Sequence, residues 1–310
     1  MSIDVSVIIV SYNAIEWLTT CLNAVAAGAP HRRIEVIVVD NNSKPEVQAY
    51  LATAPHGVEV IQSDRNLGFG RACNLGVARS RGRYVMLLNP DAVLHAGAIE
   101  ALADFLEADP GRGLVGGRTV RPDGSLEPGS CWGAPSVWSW FCAATGLSRM
   151  FRHSTWFDPE SLGAWQRDSA REVDIITGCL LLTSRPVWDR LGGFDEDYFM
   201  YGEDADLSLR AWELGLRPSI TPAATAVHAG GASSANRLGK QRLLLRGKAT
   251  LARKRWSPAQ SRVGLLLLVG GVGLRATVEA VRGRNDRTMR TLWQERQEWL
   301  AGWLGALERP

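Results

Sequence analysis

The chain has 310 residues, of which 45% are apolar and 22% charged, and its formal net charge is +3. This composition is typical of a globular protein with one large α/β domain plus an appendage, or with two small domains. A charge of +3 is too small to indicate a nucleic-acid partner by itself. The five cysteines are widely spaced and form no CxxC pair, which predicts reduced thiols rather than a disulfide framework or a zinc site.

Apolar runs of strand length alternate with stretches of helical periodicity in the first third of the chain. This alternation predicts a mostly parallel central sheet with flanking helices. The amino terminus has no basic residue before its apolar run, so we expect no signal peptide. The predicted strands are 5–10, 34–39, 58–62 and 84–88, and the predicted helices are 14–27, 45–53, 69–80 and 96–108.

Three of the four strands end in polar residues, namely SYN (11–13), DNNS (40–43) and NPDA (89–92). Ligands of open parallel sheets bind outside the carboxyl ends of the strands, so these residues are a candidate site. Asp40 could accept a hydrogen bond from the N3–H group of a pyrimidine base. The alternative is that DNNS starts a helix, because Ser43 and Glu46 have the spacing of a capping box. Capping accounts for Ser43 but leaves Asp40 unexplained.

The segment DRNLGFGRACNLG (64–76) is rich in glycine and polar residues at a predicted strand-to-helix junction. Its backbone N–H groups could face phosphates or sugar hydroxyls. Cys73 occupies the third glycine position of a dinucleotide-binding fingerprint, and the chain has no P-loop motif, so both of those nucleotide-binding classes are disfavoured.

Asp91 follows the strand 84–88 after a sharp turn at Pro90, which supplies a fixed φ and no N–H donor. A carboxylate at this strand end can hold Mg²⁺ or Mn²⁺, which prefer oxygen ligands and keep positions open for a diphosphate. The alternative is that Asn-Pro-Asp is only good turn chemistry.

Residues 121–172 lose the alternating pattern and contain five tryptophans. A connection this long is usually functional or disordered, and this many aromatic residues argue against disorder. We interpret it as a structured excursion that binds an acceptor, with Trp132, Trp138 and Trp140 as candidates. The alternative is that the tryptophans only pack the loop onto the domain.

The pattern returns with a predicted buried strand at 172–184 and an acidic helix start in YGEDADLSLR. Glu203 and Asp204 follow an aromatic approach that could tune a carboxylate as a base. Asp206 and Arg210 have the spacing of a surface ion pair. His228 ends a predicted strand at 224–228 and could ligate a metal, although a lone histidine is more often structural.

The segment 236–310 is predicted to be helical, with a basic helix, an apolar run at 263–274 and a polar helix with Trp293, Trp299 and Trp303. The apolar run has 12 residues and is closed by Arg275, so we expect it to be too short to span a bilayer. Basic residues before it and tryptophans after it suit a segment lying on an anionic membrane. The alternative is a helical hairpin packed on the catalytic domain or in a homodimer.

Taken together, VSVIIVSYN, VIVVDNNS, NLGFGRACNLG, LLNPDA, GFDEDYFMYGEDADLSLRAWELG and VHAGGASS resemble the inverting glycosyltransferases of family 2, which have the GT-A fold. The subset that these motifs resemble is the bacterial rhamnosyltransferases. The resemblance covers residues 4–234 and implies an Asp-x-Asp motif for metal and nucleotide diphosphate, where this chain has Asn89-Pro90-Asp91. It also implies a GT-A catalytic domain at 1–235 followed by the helical segment 236–310.

The resemblance implies roles for individual residues. Asp204 would be the catalytic base with Glu203 beside it, and Asp91 and His228 would hold Mn²⁺ or Mg²⁺. Donor binding would involve Ser11, Tyr12, Asn13, Asp40, Asn42, Asn66, Gly68, Phe69, Asn74, Asn89 and Asp91. The implied reaction moves a sugar from a nucleotide diphosphate donor to a saccharide or polyprenyl-diphosphate-linked acceptor in cell-envelope polysaccharide synthesis. The first candidate for the sugar is L-rhamnose, with dTDP-rhamnose as its donor. The expected location is cytoplasmic, peripheral at the inner face of the plasma membrane.

Three alternatives remain open. Another donor such as a UDP-hexose or UDP-galactofuranose would keep the reaction and change the sugar. A non-catalytic nucleotide-sugar-binding protein would fit the missing first aspartate. A nucleic-acid-binding protein is suggested by the basic stretch 237–262, but the chain has no recognisable nucleic-acid-binding module, so we expect no such partner.

Overall fold

The computed structural model describes residues 2–228, 236–282 and 287–303. The chain forms two compact units. The sheet unit comprises Met1–Trp132, Gln166–Glu196 and Leu207–Ser233, and the helical unit comprises Gly133–Trp165, Asp197–Asp206 and Ser234–Pro310. The predicted domain boundary after residue 235 lies outside the described residues and stays a prediction.

The strands are β1 (Val5–Ser11), β2 (Ile34–Asp40), β3 (Glu59–Gln62), β4 (Tyr84–Leu88), β5 (Ala92–Leu94), β6 (Leu114–Val120), β7 (Cys131–Trp132), β8 (Arg171–Glu172), β9 (Ile175–Ile176), β10 (Leu180–Ser184) and β11 (Ser219–His228). The helices are α1 (Ile15–Gly28), α2 (Pro45–Ala52), α3 (Phe69–Arg79), α4 (Ala98–Ala108), α5 (Val137–Thr145), α6 (Leu147–Met150), α7 (Arg185–Leu191), α8 (Glu203–Glu213), α9 (Arg237–Arg255), α10 (Pro258–Val281), α11 (Thr288–Gln294) and α12 (Arg296–Ala301).

The sheet unit is built on a sheet with the strand order β3-β2-β1-β4-β10-β6-β11-β5, and β8 also pairs with β11. The strands β1 to β4 are parallel to one another, and their bounds lie within about two residues of the predicted ones. β10 runs antiparallel between β4 and β6, which makes the other half of the sheet mixed. The parallel half buries the predicted apolar runs, which pack against α1 and α4 in the main core.

Two predicted strands differ from the structure. The segment 172–184 is not one strand, because β8 pairs with β11, β9 pairs with the short β7, and only β10 enters the centre of the sheet. The predicted strand at 224–228 is the end of the longer β11, which pairs in parallel with β6 over most of its length. In both cases the bounds of the strand depend on pairing with strands that are far away in sequence, and local periodicity does not predict such pairing.

The helical unit has its own small core. Val272 of α10, Leu292 of α11 and Trp299 of α12 are buried together, and half-buried leucines of α9 pack against them. Trp303 is also buried, where its backbone N–H donates to Thr250 Oγ1 at 2.8 Å. The prediction that Trp299 and Trp303 face a membrane is therefore wrong, because both side chains are buried in the helical unit. Trp293 alone of the three is partly exposed.

The apolar run 263–274 is only the middle of α10, which has 24 residues. An 18-residue stretch of this helix has a mean hydropathy of 1.6, which together with the helix length is sufficient to cross a membrane, and 22% of that stretch is buried. The prediction that this segment is too short to span a bilayer is therefore wrong, since the chain continues as helix past Arg275. Length and composition alone do not make it a span, because the core helix of a soluble protein can be equally long and apolar. Glu279 near its end accepts hydrogen bonds from the backbone N–H groups of Met289 and Arg290, which ties this charge into the helical unit.

Candidate active site

The turn after β4 places Asp91 at the carboxyl edge of the sheet. The backbone N–H of Asn89 donates to the carbonyl of Cys179 at 3.1 Å, and the carbonyl of Asn89 accepts from Ala92 at 3.1 Å. Pro90 between these two anchors has no N–H that needs a partner. The turn is thus held on both sides, and the Asp91 side chain is buried instead of pointing into solvent.

His228 reaches Asp91 because of the register between β11 and β5. These strands are antiparallel and His228 lies opposite Ala92, the residue that follows Asp91. The imidazole Nε2 is 3.2 Å from Asp91 Oδ1 and 3.4 Å from the Asn89 side-chain nitrogen. The two predicted metal ligands are therefore neighbours in the structure, although 137 residues separate them in the sequence.

The other ring nitrogen of His228 faces Glu127, which the sequence did not single out. Nδ1 lies 3.5 Å from Glu127 Oε2, a separation typical of an ion pair rather than of a well-aligned hydrogen bond. Glu127 is itself held, since it accepts from Thr119 Oγ1 and from the backbone N–H of Gly129, each at 3.0 Å. A carboxylate in this position fixes the tautomer and orientation of the ring.

The histidine and its two carboxylates alter one another's protonation. Burial lowers the pKa of His228, but the bonds and charges of Asp91 and Glu127 raise it more strongly, to about 9. Burial raises the pKa of Glu127, and its bonds from His228, Thr119 and Gly129 outweigh this and lower it. Without a competing cation the imidazole is therefore a protonated ring between two carboxylates.

The donor chemistry of Asp91 and His228 suits a divalent cation. One carboxylate oxygen and one imidazole nitrogen at 3.2 Å have the spacing of adjacent ligands around one ion, since metal–ligand bonds near 2.1 Å at a right angle give roughly 3 Å. Within residues 2–228, 236–282 and 287–303, no group of three or more His, Cys, Asp or Glu side chains is arranged as a metal site. A cation here would therefore take further ligands from groups other than these side chains of the described residues, such as diphosphate oxygens.

Asp40 ends β2 and lies opposite Ser11 at the end of β1. Its carboxylate is fully buried, and one oxygen accepts from Gln62 Nε2 and from the backbone N–H of Ser43. The other oxygen, Oδ1, has no hydrogen-bond partner among the described residues, and the same holds for the Ser11 hydroxyl. A buried carboxylate oxygen without a donor is costly, so Asp40 suits a ligand that brings an N–H group.

The predicted capping box at Ser43 is wrong. The helix α2 begins at Pro45 with Lys44 as its N-cap, and no side chain caps it. Ser43 Oγ instead accepts from the backbone N–H of Asn13 at 3.0 Å, and Asn13 Oδ1 accepts from Lys44 at 2.8 Å. These bonds join the loops after β1 and β2. Tyr12, in the loop after β1, is partly exposed at the same edge of the sheet. Asn42, in the loop after β2, is exposed and has a left-handed backbone conformation.

The glycine-rich loop before α3 is organised by Asn41, which lies in the candidate segment 40–43 but was given no role of its own from the sequence. Its side-chain oxygen accepts from Leu67 at 2.8 Å, and its nitrogen donates to Asn66 Oδ1 at 2.9 Å. Asn66 Oδ1 also accepts from the N–H of Gly68, whose φ of 81° lies in the region that favours glycine. The loop is thus a preformed turn directly before Phe69.

Phe69 and Asn74 lie on α3 and contact the segment around Phe194. The two phenylalanine rings have centroids 5.8 Å apart. The side-chain amide of Asn74 donates to the carbonyl of Phe194 and accepts from its N–H, each at 2.9 Å. Both amide groups of Asn74 are thus used to hold this segment, so its role in donor binding stays a prediction.

The three acids at the start of α8 differ sharply in environment. Glu203 is buried, and burial together with the charges of Asp204 and Asp206 raises its pKa to about 8. Its Oε2 has no hydrogen-bond partner within the described segments. Asp204 is half-buried, so it stays accessible to a reactant. Two adjacent carboxylates rarely both ionise, and here the buried Glu203 is the one that keeps the proton.

The predicted surface pair of Asp206 and Arg210 is wrong. Asp206 is fully buried and accepts from Arg255 Nε at 2.6 Å, which ties the start of α8 to the end of α9. Arg210 instead donates to the backbone carbonyls of Leu191 and Gly193. The i, i+4 spacing was correct for a helix, but Asp206 is buried against Arg255 and is not at the surface.

The three candidate acceptor tryptophans lie in different surroundings. Trp132 pairs with Ile175 between β7 and β9 in the sheet unit. Trp138 is partly exposed and stacks on Phe141 with ring centroids 5.6 Å apart. Trp140 is buried in the helical unit. Their part in acceptor binding stays a prediction.

Comparison with known proteins identifies the family. Residues 6–174 match the family model described as glycosyl transferase family 2. The chain belongs to glycosyl transferase family 2. It is 32% identical over 215 residues to the N-acetylglucosaminyl-diphospho-decaprenol L-rhamnosyltransferase of Mycobacterium tuberculosis, an alignment that covers 64% of this chain and 68% of that protein. It is also 35% identical over 117 residues to the glycosyltransferase AglE of Haloferax volcanii, covering 36% and 38%.

Solved structures show the same fold. The mannosyltransferase PcManGT from Pyrobaculum calidifontis, in complex with GDP-Man and Mn²⁺, has a TM-score of 0.55 at 18% identity, covering 99% of this chain and 87% of that one. Staphylococcus aureus TarS 1–349 has a TM-score of 0.51 at 14% identity, covering 96% and 92%. The predicted α/β fold of GT-A type with a C-terminal helical segment is confirmed, and so is the resemblance to rhamnosyltransferases.

Proposed function

We propose that this family 2 glycosyltransferase is a metal-dependent inverting enzyme that moves L-rhamnose from dTDP-rhamnose to a polyprenyl-diphosphate-linked saccharide. The observation that carries the metal-dependent part is the pairing of Asp91 with His228 at the carboxyl edge of the sheet. The sugar and the acceptor are proposed from those of the mycobacterial relative, an L-rhamnosyltransferase that acts on N-acetylglucosaminyl-diphospho-decaprenol.

The sheet unit would bind the donor. Asp40 Oδ1, which lacks a donor among the described residues, would accept the N3–H of the pyrimidine base, while Tyr12 and the Asn66 to Phe69 turn would line the nucleotide. Asp91 and His228 would hold Mn²⁺ or Mg²⁺ against the diphosphate, and Asn89 would contact the ribose or diphosphate. A bound divalent cation would supply charge stabilisation for the departing nucleoside diphosphate.

Asp204 would be the catalytic base. Asp204 would take the proton from an acceptor hydroxyl as that oxygen attacks the anomeric carbon from the face opposite the diphosphate. Glu203 supports this role because its raised pKa keeps it neutral at pH 7, so that it adds no second full negative charge beside the proposed base. A single displacement inverts the anomeric centre and needs no enzyme nucleophile.

We also propose that the enzyme works at the inner face of the plasma membrane. Val263, Leu274, Val278 and Val281 of α10 are exposed, and Arg262 and Arg282 lie at either end of this apolar face. Such a face suits peripheral binding to anionic lipid, where the substrate chain is anchored. A homodimer through the same face is the competing prediction, and vesicle binding compared with oligomeric state at increasing concentration separates the two.

The proposal is tested by measuring transfer and donor binding in matched variants. Asp204→Asn should keep donor binding and melting temperature while single-turnover transfer falls roughly 10²–10⁴-fold, the usual range for loss of a general base. Glu203→Gln is the matched control and should lose less, since it changes only the neighbouring charge. Near wild-type transfer by folded Asp204→Asn protein would refute the assignment, and a larger loss in Glu203→Gln would identify Glu203 as the base.

The donor is tested by thermal stabilisation with dTDP-rhamnose, UDP-hexoses and UDP-galactofuranose, each with and without Mn²⁺. Preferential stabilisation by dTDP-rhamnose with Mn²⁺ is expected, and Asp91→Ala should remove the metal-dependent part. Stronger stabilisation by a UDP-sugar would replace the rhamnose assignment. Donor binding without transfer or donor hydrolysis by wild-type protein would indicate a non-catalytic binding protein.

A further inference from the structure

The helical unit contains a cavity of about 270 Å³ between α5, α9, α10 and α11. This volume corresponds to roughly nine water molecules at liquid density. Its lining is mainly aliphatic, including Leu244 and Leu245 of α9, Leu267 and Leu268 of α10, and Leu292 of α11. An apolar space of this size suits a short stretch of hydrocarbon chain.

A buried polar atom at this cavity lacks a partner. Trp140 of α5 lines the space and is 1% exposed, and its indole Nε1 has no hydrogen-bond partner in the described part of the chain. Its ring is fixed by packing against Trp256, with centroids 4.4 Å apart. An indole N–H held in this way is a donor available to an oxygen of a ligand.

Two cations border the same space. Arg275 donates to the backbone carbonyls of Gly271 and Ala143, at 3.2 and 2.5 Å, and no carboxylate of the described residues forms an ion pair with it. Lys248 lies over the Trp140 ring at 5.7 Å and is 3.8 Å from Glu160, a loose pair. A guanidinium and an ammonium beside an apolar cavity complement an amphiphilic anion.

We propose that this cavity receives part of the isoprenoid chain of the lipid-linked acceptor, with Arg275 and Lys248 facing its diphosphate. The proposal rests on the proposed function, because the diphosphate-linked prenyl acceptor comes from there. The apolar lining selects the chain, the two cations select the anionic linkage, and the Trp140 N–H adds a donor for a diphosphate oxygen. The cavity is too small for a whole polyprenyl chain, so the remainder stays in the membrane.

The test uses the full chain and farnesyl diphosphate as a soluble probe, measured by calorimetry. Farnesyl diphosphate should bind, and inorganic diphosphate should bind at least about tenfold more weakly because it lacks the chain. Leu267→Trp, which fills the cavity, should lower the affinity for farnesyl diphosphate at least about tenfold. Its matched control is Leu266→Trp, an exposed position on the same helix, which should leave the affinity unchanged.

The role of charge is tested by Arg275→Gln. This variant should bind farnesyl diphosphate roughly 10–100-fold more weakly, since hydrogen bonds to charged groups contribute about 1.5–3 kcal/mol. Its affinity for farnesol, which has no charge, should be unchanged. A photoreactive farnesyl diphosphate on wild-type protein should label α5, α9 or α10. Equal binding by the two leucine variants, or labelling confined to the sheet unit, would overturn the proposal.

The outcomes distinguish this inference from the proposed function. Transfer to a soluble acceptor without a lipid chain depends on the donor site and on Asp204, and it needs no isoprenoid chain in the cavity. Failure of that transfer in the wild type, with farnesyl diphosphate still bound in the cavity, would refute the proposed function alone. Transfer without cavity-dependent binding would refute the inference alone.

Discussion

Removing the guanidinium of Arg255 should destabilise the protein far more than removing the charge of its neighbour Lys254. Each residue forms an ion pair with a nitrogen–oxygen distance of 2.6 Å, Arg255 with Asp206 and Lys254 with Asp197. The pairs differ in burial, because the Asp206 side chain is fully buried and that of Asp197 is 49% exposed. The two substitutions thus compare a buried ion pair with an exposed one at the same nitrogen–oxygen distance.

The magnitudes follow from this difference. Arg255→Gln leaves a buried carboxylate without its Arg255 partner, which costs about 3–5 kcal/mol. Lys254→Gln removes a solvent-screened pair that contributes about 0–1 kcal/mol. At roughly 2–4 °C per kcal/mol, the first change should lower the melting temperature by about 6–20 °C and the second by at most about 4 °C.

The assay is thermal and urea unfolding of both variants and of the double variant Asp206→Asn with Arg255→Gln. The double variant should recover part of the lost stability, because neither side chain then leaves a buried charge. Equal small losses in Arg255→Gln and Lys254→Gln would show that the buried Asp206 carboxylate does not depend on Arg255 for its stabilisation. The link from α8 to α9 would then contribute nothing to holding the proposed base.

Three further outcomes are expected. Glu127→Gln should weaken Mn²⁺ binding in the presence of nucleoside diphosphate roughly 10–100-fold in calorimetry, because it no longer orients His228; unchanged affinity would contradict this role. Asp40→Ala should lower affinity for dTDP by about 1.5–3 kcal/mol without altering affinity for inorganic diphosphate, and equal losses for both would place Asp40 outside the base site. The stability that protonated Glu203 contributes is fully present below pH 4.5 and is lost as pH rises through about 8. Glu203→Gln should remove this decline, at most about 1.4 kcal/mol per pH unit, in melting curves; a wild-type slope in the variant would refute the raised pKa.

Local sequence patterns predicted the first half of the sheet because each element there is complete in itself. The runs that became β1, β2 and β4 are continuous apolar segments between helical ones, and their parallel pairing follows from the crossover helices. The strand β6 escaped prediction because it contains Gly116 and Gly117. Those glycines are needed for close approach, since a Cβ at Gly117 would lie 2.6 Å from the carbonyl oxygen of Ala224.

The candidate site was predictable to the extent that its residues follow strands. Asp40 and Asp91 were found because polar residues directly after buried strands are unusual and lie at one sheet edge. Asn41 lies in the same candidate segment as Asp40, but its role in the glycine-rich loop was not predicted, and Glu127 was not found at all because nothing near it in the sequence indicates a partner. Their roles arise from contacts with His228 and Asn66, and such contacts depend on the register of distant elements.

The contact between Glu127 and His228 changes the interpretation of Asn89. Where the family motif has two acids, this chain has a neutral amide at the first position, which alone would leave Asp91 as the single negative charge of the turn. The structure places a second carboxylate, Glu127, against the far nitrogen of the same histidine. His228 would hold a cation through Nε2 while Nδ1–H still faced Glu127, and the charge of Glu127 would increase the basicity of the ring as a ligand. The family motif's second negative charge, which is missing at position 89, is therefore supplied by Glu127 behind His228. This arrangement would favour metal binding through His228 rather than through the Asn89–Asp91 turn.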